Sequence, residues 1–185
     1  ILIAGGFHTT GYIFIAVYFL YNMKLSNLTA FACSAIVAFC APLLGKLINY
    51  LMLSTKYFKF LESSYMDKEQ GYVTLMINIL ILIFCSLFYD KENKKEQLYF
   101  KLQIVAVWTS FLVPYVPLIG RIRWMFGLPV IILIPMSLKN ITDIRLRTLV
   151  YTAIMVLYAI YMYISVAINN TNNVLPYETI FSHGF

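Results

Sequence analysis

The sequence predicts an all-α, polytopic membrane bundle of about six transmembrane helices, one pair of them kinked by proline. Three observations carry that prediction. Of 185 residues, 61% are hydrophobic and only 12% charged, against about 45–50% and about 25% in soluble domains. The apolar residues gather in long runs of the length that crosses a bilayer, about 20 residues each. Those runs are apolar on every side, with no period-two alternation, which favours helices over barrel strands. A water-soluble enzyme and a disordered chain are both excluded, because each needs far more polar surface.

The first predicted span is Leu2–Tyr21, and the second is Asn27–Leu44 with a possible extension to Leu53. Tyr72–Tyr89 forms the third and Leu102–Leu118 the fourth. Trp124–Leu138, short for a span, is the fifth, and Thr148–Ile168 the sixth. No internal repeat or second domain interrupts them, so residues 1–185 read as a single transmembrane domain. The chain opens on Ile1 inside an apolar run, so it is expected to be the C-terminal part of a longer protein. That run has neither a basic leader nor a small-residue cleavage site, so it is not a signal peptide.

Lys and Arg fall in the gaps between the runs, where they report orientation. The first, third and fifth connections hold Lys24, then Lys91, Lys94, Lys95 and Lys101, then Lys139, Arg145 and Arg147. The second and fourth hold Lys46, Lys56, Lys59 and Lys68, then Arg121 and Arg123, and the tail after Ile168 holds none. Eight against six places the first set in the cytoplasm and the second set outside. The basic residues form no continuous stripe, so the net charge of +6 reflects topology and does not predict nucleic-acid binding.

Four of the six prolines, Pro114, Pro117, Pro129 and Pro135, surround Arg121 and Arg123. Proline kinks or ends a helix, and irregular backbone at membrane depth survives only against protein or a water-filled cavity. The fourth and fifth spans are therefore expected to bend around a polar pocket; a tight turn with two snorkelling arginines fits as well. Arg121 and Arg123 are two apart, so only a non-helical backbone would let both face one ligand. A guanidinium offers a planar, permanently charged fork suited to phosphate, which makes a lipid-linked anion the natural ligand and lipid headgroups the plainer one.

His8 lies in the first span, in Gly5-Gly6-Phe7-His8-Thr9-Thr10-Gly11. An ionisable group within a span is costly and points to function; a neutral histidine bonded to a neighbouring helix is the other reading. Helical rise puts it roughly 20 Å from Tyr21, level with the arginine turn on the outer side. Lys56 and Lys59 alternate with Tyr57, Phe58 and Phe60. Such a segment suits either an interfacial aromatic belt or stacking on sugar rings. Tyr177 and Glu178 could line the outer pocket or sit in a solvated tail. Cys33, Cys40 and Cys85 are three thiols in apolar runs without ligand spacing, and read as inert core. With only His8 and His183 as histidines and no phosphate-cradling glycine loop, no metal and no cofactor is expected.

Taken together, Phe7-His8-Thr9-Thr10, Arg121-Ile-Arg123-Trp124 leading to Pro129 and Pro135, and Val174-Leu175-Pro176-Tyr177-Glu178-Thr179-Ile180-Phe181 resemble the EpsG family of bacterial exopolysaccharide proteins, relatives of the Wzy-type polymerases. The resemblance implies a metal-independent, glycosyltransferase-type polymerase in the bacterial cytoplasmic membrane. It would join undecaprenyl-pyrophosphate-linked oligosaccharide units into exopolysaccharide or O-antigen on the outer side, working beside other polysaccharide-assembly proteins and membrane lipids. It further implies His8 as general base, Arg121 and Arg123 as stabilisers of the departing pyrophosphate, and Lys56, Lys59 and Tyr177 as substrate contacts. A carrier for a lipid-linked sugar or anion, and a non-catalytic scaffold subunit, are the competing readings.

Overall fold

In the computed structural model, residues 12, 15–55 and 72–168 are described, and all their regular structure is helical. The helices are α1 (Ile15–Asn22), α2 (Asn27–Met52), α3 (Tyr72–Phe88), α4 (Lys94–Leu112), α5 (Ile119–Gly127), α6 (Val130–Lys139) and α7 (Ile144–Tyr163), the last continuing into a π-helical stretch at Ile164–Ile168. The chain divides into two compact units, Ile1–Asn140 and Ile141–Phe185.

Local sequence caps the starts of α2, α4 and α7. Ser26 is extended and its hydroxyl accepts the Thr29 amide at 3.1 Å, capping α2. Asn93 caps α4 by accepting from the Lys95 and Glu96 amides, and Asp143 caps α7 through the Arg145 amide. Leu118, before α5, has no such side chain and takes a left-handed backbone with φ of 62°. An L-residue there is strained by roughly 1–2 kcal/mol.

Helix α4 is the axis of the first unit and packs against α1, α2, α3, α5 and α6. Ten of its residues are buried, including Glu96, Lys101, Gln103, Thr109 and Ser110. The fourth span, expected at Leu102–Leu118, is therefore shifted: its helix begins at Lys94 and ends at Leu112. A helix enclosed by other helices need not be apolar all round, since its polar groups find partners in protein rather than lipid. Among the described residues three helical stretches are long and apolar enough to cross a membrane, Asn27–Met52, Ile119–Lys139 and Ile144–Ile168, and Tyr72–Phe88 is a shorter apolar helix. The fifth span thus starts earlier than expected and is not short. Its kink falls at Leu128–Pro129, where proline supplies no amide between α5 and α6. Most of the first expected span lies outside the described residues.

The direction of each helix follows from its contacts with α4. Trp108 Nε1 donates to Ser34 Oγ at 2.9 Å, and Asn49, farther along α2, donates to the Tyr115 carbonyl at 2.8 Å beyond the end of α4. Helix α2 therefore runs parallel to α4. Helix α3 runs antiparallel: Tyr89, just past its end, stacks on Phe100 with ring centroids 4.4 Å apart, while Asn78 reaches Ser110. The first unit has two ends as a result. One carries Lys24, Lys91 and Lys101, and the other carries the turn at Val113–Leu118. Gly45 comes eighteen positions after Asn27 along α2 between these ends, about 27 Å at helical rise, close to the roughly 30 Å of a hydrocarbon core.

Candidate functional site

The proline turn is held from one side by α2. Gly45 lies so close to Tyr115 that a β-carbon added there would collide with the Tyr115 β-carbon. One helical turn on, the Asn49 amide holds the Tyr115 carbonyl. The prolines deny the backbone its usual helical continuation, and Tyr115 and Val116 both donate to the Leu112 carbonyl. Val113, Val116 and Ile119 close a small apolar core, against which Ile48, Met52, Leu112 and Ile122 pack.

From this turn α5 doubles back along α4. Phe126 joins Leu20, Leu102 and Ala106 in a second core, so the Arg121–Arg123 stretch runs inward from the turn. Both arginines lie on regular helix. The non-helical backbone needed for both to face one ligand is not present, and the two are set apart. Arg123 is buried at 8% exposure and its guanidinium lies 5.9 Å from the centre of the Trp124 ring, a cation–π distance. Arg121 is exposed. Of the other candidates, His8, Lys56, Lys59 and Tyr177 lie outside the described residues.

Helix α1 is pinned at its C-terminal end, where Lys101 Nζ donates to the carbonyls of Met23 at 2.6 Å and Tyr21 at 3.3 Å. Its earlier residue Val17 packs with Leu20 on the core that contains Ala106, Phe126 and Ile122. Read backwards from Met23, α1 therefore climbs α4 from the lysine end towards the proline end.

Polar side chains that single out nothing in the sequence cross the middle of the bundle. Gln103 Nε2 donates to the Asn78 backbone carbonyl and to Asn78 Oδ1 at 3.1 and 3.2 Å. Asn78 Nδ2 donates to Ser110 Oγ at 3.3 Å, and Ser110 donates to the Ala106 carbonyl. Gln103 and Ser110 are seven residues apart on α4, a spacing that places them on one helical face; that was the legible signal. At the lysine end, Glu96 is 4% exposed and accepts from the Asp90 amide at 2.8 Å and from Asn140 Nδ2 at 3.0 Å. Asn140 also donates to the Phe88 carbonyl, so one carboxylate and one amide tie the ends of α3, α4 and α6 together. Among the described residues no group of three or more His, Cys, Asp or Glu gathers into a metal site.

The family model of the EpsG family matches residues 1–179 of the chain. The chain belongs to the EpsG family. No curated protein and no solved structure matches it. As a member of the EpsG family, the chain is a membrane protein whose function relates to polysaccharide synthesis, and its first unit packs helices around one polar axis.

Proposed function

We propose that this EpsG-family protein polymerises undecaprenyl-pyrophosphate-linked oligosaccharide units at the outer side of the bacterial cytoplasmic membrane. The observation that carries the reading is the family match over residues 1–179. A buried guanidinium just inward of a proline turn supports it. In the proposed reaction a hydroxyl of the acceptor unit attacks the anomeric carbon at the reducing end of the donor chain. The bond from that carbon to the pyrophosphate oxygen breaks, and the lipid pyrophosphate leaves with the bonding pair. His8 takes the hydroxyl proton, a task for a group with near-neutral pKa. Arg123, withdrawn from water, stabilises charge growing on the pyrophosphate, where low dielectric makes such a contact strongest. Arg121, exposed on another side of α5, is assigned to a separate ligand at the rim, the phosphate of the acceptor unit's lipid carrier. Lys56, Lys59 and Tyr177 are assigned to the glycan portion of the substrate. Helix α1 leads from the lysine end towards the arginine end of α4.

The test is replacement of His8, Arg121 and Arg123 by alanine, one at a time, in the full-length protein, with surface glycan length as readout. Each replacement is expected to lower polymerisation by about 100-fold or more and to leave single repeat units on the lipid carrier. Long glycans in all three variants would overturn the reading. A second reading, a carrier for a lipid-linked anion, is favoured by the Gln103–Asn78–Ser110 chain in the middle of the bundle, where carriers place their polar groups. A defective carrier exposes no repeat units outside, so the same experiment separates the two.

A further inference from the structure

A cavity of about 450 Å³ lies at the lysine end of the first unit, at the opposite end of the bundle from the proline turn. Lys24, Lys91 and Lys101 line it, together with Ser26 and Asn27 at the start of α2 and with Tyr89. Three features of its wall point to the same kind of ligand. First, three lysines line one hollow and, among the described residues, no Asp or Glu lines it. Glu96, the acidic side chain buried nearby in sequence, is engaged elsewhere by Asp90 and Asn140. Second, Lys101 is 4% exposed, and among the described residues its Nζ meets only the backbone carbonyls of Tyr21 and Met23, neither of them an anion. Burying an uncompensated charge is costly, and an anion in the hollow removes that cost. Third, the long helix α2 begins at the cavity. Ser26 Oγ satisfies the Thr29 amide, while the amides of Asn27 and Leu28 have no partner within the helix, as at any helix start. The helix dipole adds positive potential at the same point.

We propose that this cavity binds the phosphate group of an anionic ligand, with Lys24, Lys91 and Lys101 as the charged contacts and the first amides of α2 as additional donors. Tyr89 closes the wall: its hydroxyl donates to Asn27 Oδ1 at 2.9 Å and its ring stacks on Phe100, so the start of α2 is held in place before any ligand arrives. The cavity has room for a phosphorylated headgroup and falls within the usual size of ligand sites, about 300–1,000 Å³. The phosphate can belong to a phospholipid at the membrane surface or to a soluble phosphate or diphosphate. The site is independent of the polymerase reading, because it shares no residue with the proposed catalytic groups.

The experiment uses the full-length protein in nanodiscs of phosphatidylcholine doped with phosphatidylglycerol, with retained lipid read by native mass spectrometry. A parallel arm titrates inorganic phosphate and pyrophosphate and reads thermal stability. The test variant is Lys24→Gln with Lys91→Gln, both at exposed positions, which spares the buried Lys101. The control is Lys94→Gln with Lys95→Gln, an equal charge change at exposed positions outside the cavity wall. Selective retention of phosphatidylglycerol that falls about tenfold in the test variant and persists in the control supports a lipid source. Stabilisation by pyrophosphate, lost in the test variant only, supports a soluble source. Equal losses in test and control variants, or no preference for any phosphate in the parent protein, would overturn the proposal. Glycan length is unaffected by either result.

Discussion

Gly45 is the residue whose replacement is most sharply constrained by its surroundings. Its α-carbon faces Tyr115 with no room for a methyl group, so Gly45→Ala must push the proline turn away from α2. Overpacking of this kind costs about 1–3 kcal/mol, and reversible unfolding in mixed micelles measures it. Because the turn carries α5, the same variant is expected to reduce glycan length, whereas Asn49→Ala, which removes a single bond to Tyr115, costs only about 1 kcal/mol. Glu96 is the second such residue. Glu96→Ala leaves the Asp90 amide and the Asn140 side chain without their acceptor, at about 1–3 kcal/mol. Glu96→Gln keeps one acceptor oxygen and is expected to lose less in the same unfolding measurement. Neither residue stands out in the sequence. A glycine in an apolar run and a glutamate among lysines acquire meaning only from what packs beside them.

At the scale of the element, α4 departs furthest from the sequence expectation. Its first turns contain Lys94, Lys95, Glu96, Gln97 and Lys101, a composition that reads as a solvated connection before a span at Leu102. The cap was legible: Asn93 followed three residues later by Glu96 is a helix-start pattern, and Asn93 does cap α4. Asn93→Ala is expected to cost about 1 kcal/mol, checked as a shift in the unfolding midpoint. What the pattern cannot supply is the surrounding protein. The end of α1 provides acceptors for Lys101, and Asn140 and the Asp90 amide provide donors for Glu96, and this lets the helix start two turns earlier. The proline-bearing pair shows the opposite balance. The kink near Pro129 follows from missing backbone donors and was foreseen, while the regular helix at Arg121 and Arg123 was not. Pro114 and Pro117 end before α5 begins, and Leu118 absorbs the change of direction in its left-handed backbone.

At the scale of the molecule, the decisive feature is the separation, within the first unit, of a lysine end from a proline end by about one bilayer core. In the proposed orientation the lysine end faces the cytoplasm. In a background with Cys33, Cys40 and Cys85 replaced by alanine, a cysteine introduced by Lys95→Cys is expected to react with membrane-impermeant maleimide only after the membrane is opened. One introduced by Tyr115→Cys is expected to react in intact cells. The reverse pattern would invert the bundle and remove the proposed catalytic groups from the outer face, while leaving the phosphate cavity intact on the other side. The two proposals can therefore fail separately.

Composition and run length by themselves determined that this chain is helical and membrane-embedded, because a bilayer leaves so few ways to satisfy a backbone. The prolines around Arg121 and Arg123 also marked where the helices break, which depends on neighbours in sequence. Tertiary structure alone decided that α4 is the polar axis of the first unit, that Arg123 is buried while Arg121 is not, and that Lys24 from the first connection meets Lys91 and Lys101 from the third in one cavity. Those outcomes depend on which helix faces which, and that is settled by side chains far apart in the chain, such as Ser34 with Trp108 and Gly45 with Tyr115.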